Sequence, residues 1–267
     1  MRQRVPTAVV LLGLLFLLIQ YGSPALFFLV LQAVILAALL EFYNLARKKK
    51  LHPQRVLGIT LSLVIGLSYF FRPAIPLDVS LYACLLMIGA YFVLSFTRQE
   101  QLPYFSQSIA ITFFGALYLS FTLNYFYLIR FEKGASYIYF LCLVIFLGDT
   151  GAYFLGKLFG KHKMTPLASP NKTWEGSIGG IIFGVLGAWA ARQLFLSDVT
   201  LWKALVCGVL IHAAAQISDP LESLFKRAVG VKDSSNILPG HGGALDRIDS
   251  LILAAPFFYY LVRYFWR

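Results

Sequence analysis

The chain reads as an all-α, polytopic integral membrane bundle of about nine transmembrane helices, and two observations carry that reading. Mean hydropathy is +0.73, and 59% of the 267 residues are hydrophobic against 13% charged, a balance outside the range of water-soluble domains. The apolar residues are also gathered into runs close to the ~20 residues that a helix needs to cross a ~30 Å hydrocarbon layer. The runs do not alternate in polarity, so a membrane β-barrel is excluded. Short connectors join them, which predicts one integral domain over 1–267, with N-terminal helices in 1–135 and a catalytic region in 136–267.

The first run, 7–21, follows Met1-Arg2-Gln3-Arg4 and has the outline of a signal peptide. Gly22-Ser23-Pro24 leads straight into a second apolar run with no polar mature segment between, so a retained first helix is expected. The second run, about 24–43, closes around Glu41 and leads into Ala46-Arg47-Lys48-Lys49-Lys50, a cytoplasmic anchor that fixes topology. Runs at about 56–71, 79–96 and 107–129 follow. The third of these carries Thr112 and Asn124, polar groups expected to face other helices or an aqueous cavity. A sixth run, about 136–156, holds Gly148-Asp149-Thr150-Gly151, and an acid inside a span is a functional candidate by default. Runs near 177–196, 200–218 and 248–265 complete the set. Cys84, Cys142 and Cys207 stand singly inside apolar runs and read as packing residues, not as disulfides or a zinc site.

The formal charge of +11 has a membrane explanation. With nine spans and the N-terminus inside, sixteen of the 23 lysines and arginines fall on the cytoplasmic side and seven on the other. That orientation puts the polar stretches 157–176 and 219–247 in the cytoplasm, where nucleotides are found. A nucleic-acid partner is not expected, because no basic stripe with interleaved aromatics lies outside the apolar runs.

The densest polar stretch is 216–250, with five of the twelve acidic residues. Asp219, Ser223 and Lys226 are spaced to share one helix face, provided helix continues past Pro220, and Arg227 lies on the adjacent edge. A carboxylate, a hydroxyl and cations at a helix end suit a metal–phosphate site; a solvated ion pair is the plain alternative. Gly240, Gly242 and Gly243 around His241 form either an anion nest or a simple connecting loop. Asp246 and Asp249 flank Arg247 at the start of the last run and face the same way, suited to one metal or two close ones. Upstream, Ser169-Pro170-Asn171-Lys172-Thr173 reads as a polar turn; the pattern of a P-loop is absent. His162 reads as a solvated loop residue and His212 as a hydrogen-bonded interior residue.

The run Ser223-Leu224-Phe225-Lys226-Arg227, then Lys232-Asp233, His241-Gly242-Gly243 and Asp246-Arg247-Ile248-Asp249, resembles the signature of the phosphatidate cytidylyltransferases, the CDP-diacylglycerol synthases of bacterial type. Asp149-Thr150-Gly151-Ala152-Tyr153 with Ser169–Gly176 is similar to the family's second recurring segment. The resemblance implies Mg²⁺-dependent transfer of CMP from CTP to phosphatidic acid, giving CDP-diacylglycerol and pyrophosphate. It implies Asp219 and Asp246 as metal ligands, with Asp249 a nearby candidate. Lys226, Arg227 and Arg247 would neutralise phosphates, and the loop of His241, Gly242 and Gly243 would cradle the nucleotide, with Ser223 and Asp233 close to it. Asp149, Lys172 and Thr173 would complete the site. The implied setting is the cytoplasmic (inner) membrane with the site facing the cytoplasm, phosphatidic acid arriving from the surrounding membrane lipids, and a homodimer as one option for assembly. A CTP-dependent lipid-alcohol kinase and a secondary transporter are the alternative classes; the transporter would show paired halves, and none are visible.

The charge bias generates a topology prediction. A cysteine placed at Lys49 will react only with reagent on the cytoplasmic side, and one at Lys133 only from the opposite side. Reaction of both from the same side would overturn the nine-span arrangement.

Overall fold

A computed structural model of the protein describes residues 4–235 and 242–266, with side chains from Leu12 onward. Every apolar run becomes helix. They form α1 (Arg4–Tyr21), α2 (Pro24–Lys48), α3 (Arg55–Phe70) and α4 (Leu77–Ser95). The fifth run lies in a helical segment, Gln99–Lys133, that contains α5 (Leu102–Ala116) and the short α6 (Tyr125–Leu128). Its winding widens to π turns at Leu117–Phe121 and Ile129–Lys133. Then come α7 (Ala135–Phe159), an antiparallel hairpin of β1 (Lys163–Thr165) and β2 (Ser169–Thr173), α8 (Trp174–Phe195), α9 (Leu201–Ala228) and α10 (Leu245–Phe265).

Among the described residues seven helices are long and apolar enough to cross a membrane; Leu12–Tyr21 and α3 are shorter. The 16 residues of α3 rise about 24 Å at 1.5 Å per residue, short of a ~30 Å hydrocarbon layer. The segment Ser169–Thr173, expected as a turn, is instead a strand, because its backbone pairs with β1 through Lys163–Thr173 and Thr165–Ser169. Local chemistry sets the helix starts. Ser23 caps α2 by accepting from Leu26 N at 3.2 Å, with Pro24 in the first position. α9 runs on through Pro220 to Ala228, so the helix continuity on which the Asp219–Ser223–Lys226 face depends is present.

Contacts divide the chain into two units, Met1–Tyr127 with Asp233–Arg247, and Leu128–Lys232 with Ile248–Arg267. In the first unit the C-terminal half of α2 is largely buried, at Ile35, Ala38, Leu39, Glu41, Phe42, Tyr43, Leu45 and Ala46, while Leu40 and Asn44 are exposed. Buried polar pairs fasten it. Gln32 Nε2 donates to Asn124 Oδ1 at 2.6 Å, and Tyr43 Oη donates to the Thr112 carbonyl at 2.6 Å. In the second unit α7, α8 and α9 approach through small residues, as helices do where lipid offers no hydrophobic contrast. A Cβ on Gly187 would lie 2.8 Å from the Leu143 carbonyl oxygen, and one on Gly208 would lie 3.1 Å from the Val185 Cα. Phe140 of α7 stacks on Phe258 of α10 at 5.6 Å between centroids.

The obstruction at Gly187 is backbone, which cannot turn aside. Gly187→Leu will therefore lower stability in micelles by about 1–3 kcal/mol. Gly89→Ala, where a Cβ meets nothing within 4 Å, will be neutral or stabilising by up to about 1 kcal/mol. Thermal unfolding of the two variants checks the contrast.

Candidate active site

Three acids of the second unit come from the middle of α7, the end of α9 and the start of α10. Asp149, Asp219 and Asp249 lie within Coulombic reach of one another. Like charges so placed repel unless cations stand beside them. Lys172 of β2 supplies one: its Nζ is 2.7 Å from Asp219 Oδ2, with the two side chains 31% and 27% exposed. Ser223 Oγ donates to Asp219 Oδ1 at 3.4 Å, one turn along the same helix. Ser250, which the sequence did not single out, links the other two acids, donating from Oγ to Asp149 Oδ2 at 3.4 Å and to Asp249 Oδ1 at 3.3 Å. Ser218 ties α9 to α10 by donating to the Asp249 carbonyl and accepting from Leu253 N.

Lys226 and Arg227 of the second unit have partners of their own. Lys226 Nζ is 2.6 Å from Glu222 Oε2, and the pair is 9% and 1% exposed. Two charges out of water demand such close matching. Arg227 donates from Nε to the Ala168 carbonyl at 3.3 Å and from Nη1 to the Val231 carbonyl at 3.2 Å. It therefore fastens the tip of the β1–β2 hairpin to the end of α9. Thr173 caps α8, accepting from Gly176 N at 3.2 Å, and is buried. Glu175 accepts from the backbone N–H groups of Lys161 and His162 and pairs with His162 Nδ1 at 2.6 Å. His162 is thus exposed yet held. His212 is fully buried, and among the described residues neither ring nitrogen has a hydrogen-bond partner. The expected hydrogen bond is missing because the ring is pressed against glycine backbone, with ideal Cβ positions on Gly148 and Gly180 only 2.2 and 2.4 Å from its nitrogens.

The acids offer hard oxygen donors. Among the described residues no three His, Cys, Asp or Glu side chains converge at metal-ligand spacing. A hard cation such as Mg²⁺ takes donors of this kind, one or two carboxylates with water and substrate phosphates completing its shell.

The first unit holds the polar segment. Asp246 Oδ2 accepts three hydrogen bonds, from Ser234 N at 2.9 Å, Ser234 Oγ at 2.8 Å and Gly243 N at 2.8 Å. The Gly243 N–H is therefore spent inside the loop and is not aimed outward. Gly242 has φ of +79°, and a Cβ on Gly243 would lie 2.1 Å from Ser234 Oγ and 2.4 Å from Glu41 Oε2. Both glycines are needed, the first by conformation and the second by packing. Asp233 and Arg247 are exposed. Gly240 and His241 lie outside the described residues. Glu41 was missed on the sequence, and with it Glu222; each is a lone acid, and only burial marks it.

Apolar helices enclosing clustered carboxylates with lysine beside them define a polytopic membrane protein with a charged chemical site. The sequence model of the Cytidylyltransferase family matches residues 2–265, and the chain belongs to that family. It is similar to the phosphatidate cytidylyltransferase of Bacillus subtilis (strain 168), with 34% identity over 275 residues that cover 99% of this chain and 98% of the relative. The phosphatidate cytidylyltransferase of Staphylococcus haemolyticus (strain JCSC1435) is 35% identical over 257 residues, 96% of each chain. That of Staphylococcus epidermidis (strain ATCC 12228 / FDA PCI 1200) is 39% identical over 171 residues, 64% of this chain.

Since even a methyl group has no room at Gly243, Gly243→Val will displace Ser234 and raise the KM for CTP. Protein recovered in the membrane fraction will stay near normal. An unchanged KM for CTP and an unchanged rate would reduce the segment to a connector.

Proposed function

We propose that this chain transfers CMP from CTP to phosphatidic acid, giving CDP-diacylglycerol and pyrophosphate. The observation that carries the proposal is that the family match runs through the whole chain and takes in the charged cluster of α7, α9 and α10. A phosphate oxygen of phosphatidic acid forms a new bond to the α-phosphorus of CTP, the bond to the β-phosphate oxygen breaks, and pyrophosphate leaves. The nucleophile already carries negative charge, so the protein needs no strong base. Its task is to bring two polyanions together.

Asp219 fits a Mg²⁺ ligand best, with Asp249 and Asp149 beside it, and the bound ion would supply charge neutralisation at the phosphates. Lys172, partly exposed next to Asp219, is placed to meet a phosphate oxygen. Lys226, buried against Glu222, acts chiefly by fixing the turn of α9 that presents Asp219 and Ser223. Arg247, exposed at the start of α10, is a phosphate-facing cation in this reading. Asp246, the second ligand expected from the sequence, has Oδ2 committed to the donors of Ser234 and Gly243, so its first role in this reading is to hold that turn. The cation bias supports a site open to the cytoplasm, in the inner membrane of a bacterium, with phosphatidic acid entering sideways from the bilayer.

Purified protein given phosphatidic acid, CTP labelled at the α-phosphate and Mg²⁺ will yield labelled CDP-diacylglycerol and pyrophosphate. Formation of CDP with a phosphorylated lipid would identify a kinase instead. Asp219→Asn keeps size and removes charge; it will lower turnover by about 100-fold or more and move the Mg²⁺ titration to higher concentration. A normal rate and an unshifted curve would take Asp219 out of the metal site. An unshifted curve in Asp246→Asn would assign that residue to the loop framework alone.

A further inference from the structure

Glu41 is a carboxylate 1% exposed near the end of an apolar helix, and both its oxygens are fully engaged. Oε1 accepts from Ser235 Oγ at 2.6 Å and from Ala244 N at 3.0 Å. Oε2 accepts from Ser234 Oγ at 2.9 Å and from Leu245 N at 2.8 Å. All four groups are donors, and among the described residues no lysine, arginine or histidine pairs with it. The two backbone donors are at the start of α10, where helices leave N–H groups unsatisfied. Such groups are ordinarily capped by the neighbouring Ser, Thr, Asp or Asn. Here the cap comes from α2, some 204 residues away in sequence. The two hydroxyl donors belong to the other end of the segment.

We infer that Glu41 is a positioning residue for CTP use: from α2 it ties residues 234–235 to residues 244–245, and so holds Gly243 and Asp246 in the arrangement that meets the nucleotide. The inference rests on the proposed cytidylyl transfer and on the segment's share in binding CTP. Its reach goes beyond the cap itself. Ser234 Oγ lies 2.9 Å from Glu41 Oε2 and 2.8 Å from Asp246 Oδ2, so one hydroxyl is shared by both acids. Asp246 in turn holds the Gly243 N–H. A change at Glu41 is passed through Ser234 to Asp246 and the glycine turn, and to Arg247 next in the chain.

The arrangement is specific for a group with acceptors only. In Glu41→Gln the amide NH₂ would face one hydroxyl and one backbone N–H in either orientation. The hydroxyl can rotate to accept, but the N–H of Ala244 or Leu245 cannot. Glu41→Asp keeps the acceptors but withdraws them by one methylene.

The test is steady-state kinetics on the purified full chain in micelles, varying CTP and phosphatidic acid separately. Glu41→Gln will raise the KM for CTP by about 10-fold or more, leaving the KM for phosphatidic acid within about twofold. Glu41→Asp will recover part of the loss, and Ser235→Ala, which removes one donor, will give a smaller rise of the same kind. Both KM values unchanged in Glu41→Gln, with the rate falling only as folded protein falls, would make Glu41 a packing residue and overturn the inference. Should Glu41→Gln not be recovered folded, Ser235→Ala decides by the same criterion. A raised KM for CTP in Gly243→Val alone would sink the role of Glu41 and keep that of the segment. An unchanged KM for CTP in Gly243→Val as well would sink the segment's role in binding CTP, and no CDP-diacylglycerol from the unaltered protein would sink the function.

Discussion

A polar atom carried into an apolar bundle has to find its partner inside the protein, and that constraint orders this structure. Lipid supplies no hydrogen bonds, so each buried donor or acceptor is a cost until it is matched. The matches made here join residues far apart in sequence: Gln32 with Asn124, Tyr43 with Thr112, Lys172 with Asp219, and Glu41 with Leu245. Satisfying the polar groups and fixing which helix lies beside which are therefore one event. In the second unit the pair of Lys172 and Asp219 is at once such a strut and part of the charged cluster.

Close backbone approach fixes one polar ring for which no hydrogen-bond partner is found among the described residues. His212 has neither nitrogen bonded among the described residues, yet its ring is held between the glycine faces of α7 and α8 at Gly148 and Gly180. Gly148 immediately precedes Asp149. A side chain at Gly148 would push His212 away and turn the helix that carries the acid, so the glycine fixes the aim of its neighbour. Here packing in the interior and charge in the site meet at adjacent residues of one helix.

The helical runs were legible in the sequence because lipid-facing helix leaves an apolar run, although among the described residues only seven helices are long and apolar enough to cross a membrane. The acids Asp149, Asp219 and Asp249 were legible for the opposite reason: charge is conspicuous where everything around it is apolar. Glu41 was not. It stands near the end of an apolar run, a few residues before a basic cluster, where an acid is ordinary, and its partners lie 193 to 204 residues away. The strand character of Ser169–Thr173 was hidden for a related reason, since it depends on pairing with β1 and not on its own composition. The capping role of Thr173 could have been read, because a threonine followed by Trp174, Glu175 and Gly176 has the form of a helix start.

The fate of the cations separates two meanings of a charged signature. Lys226 and Arg227 sit in the run that resembles the family's signature, and the chemistry of the substrates invites assigning both to phosphate. The structure gives Lys226 to Glu222 in a nearly sealed pair and sends Arg227 to two backbone carbonyls at the hairpin tip and the loop after α9. Both contacts fix the last turns of α9, which carry Asp219 and Ser223, and one of them draws the hairpin of Lys172 against that helix. A cation can thus serve a phosphate-handling site by holding its carboxylates still, without touching phosphate itself. Removing Lys226 would take its cation from the buried Glu222 carboxylate, about one turn from Asp219 on the same helix. In the proposed reaction, charge neutralisation within this unit is assigned instead to the more accessible Lys172. That division is physically apt, because a cation sealed from water cannot change partners as substrate arrives and product leaves.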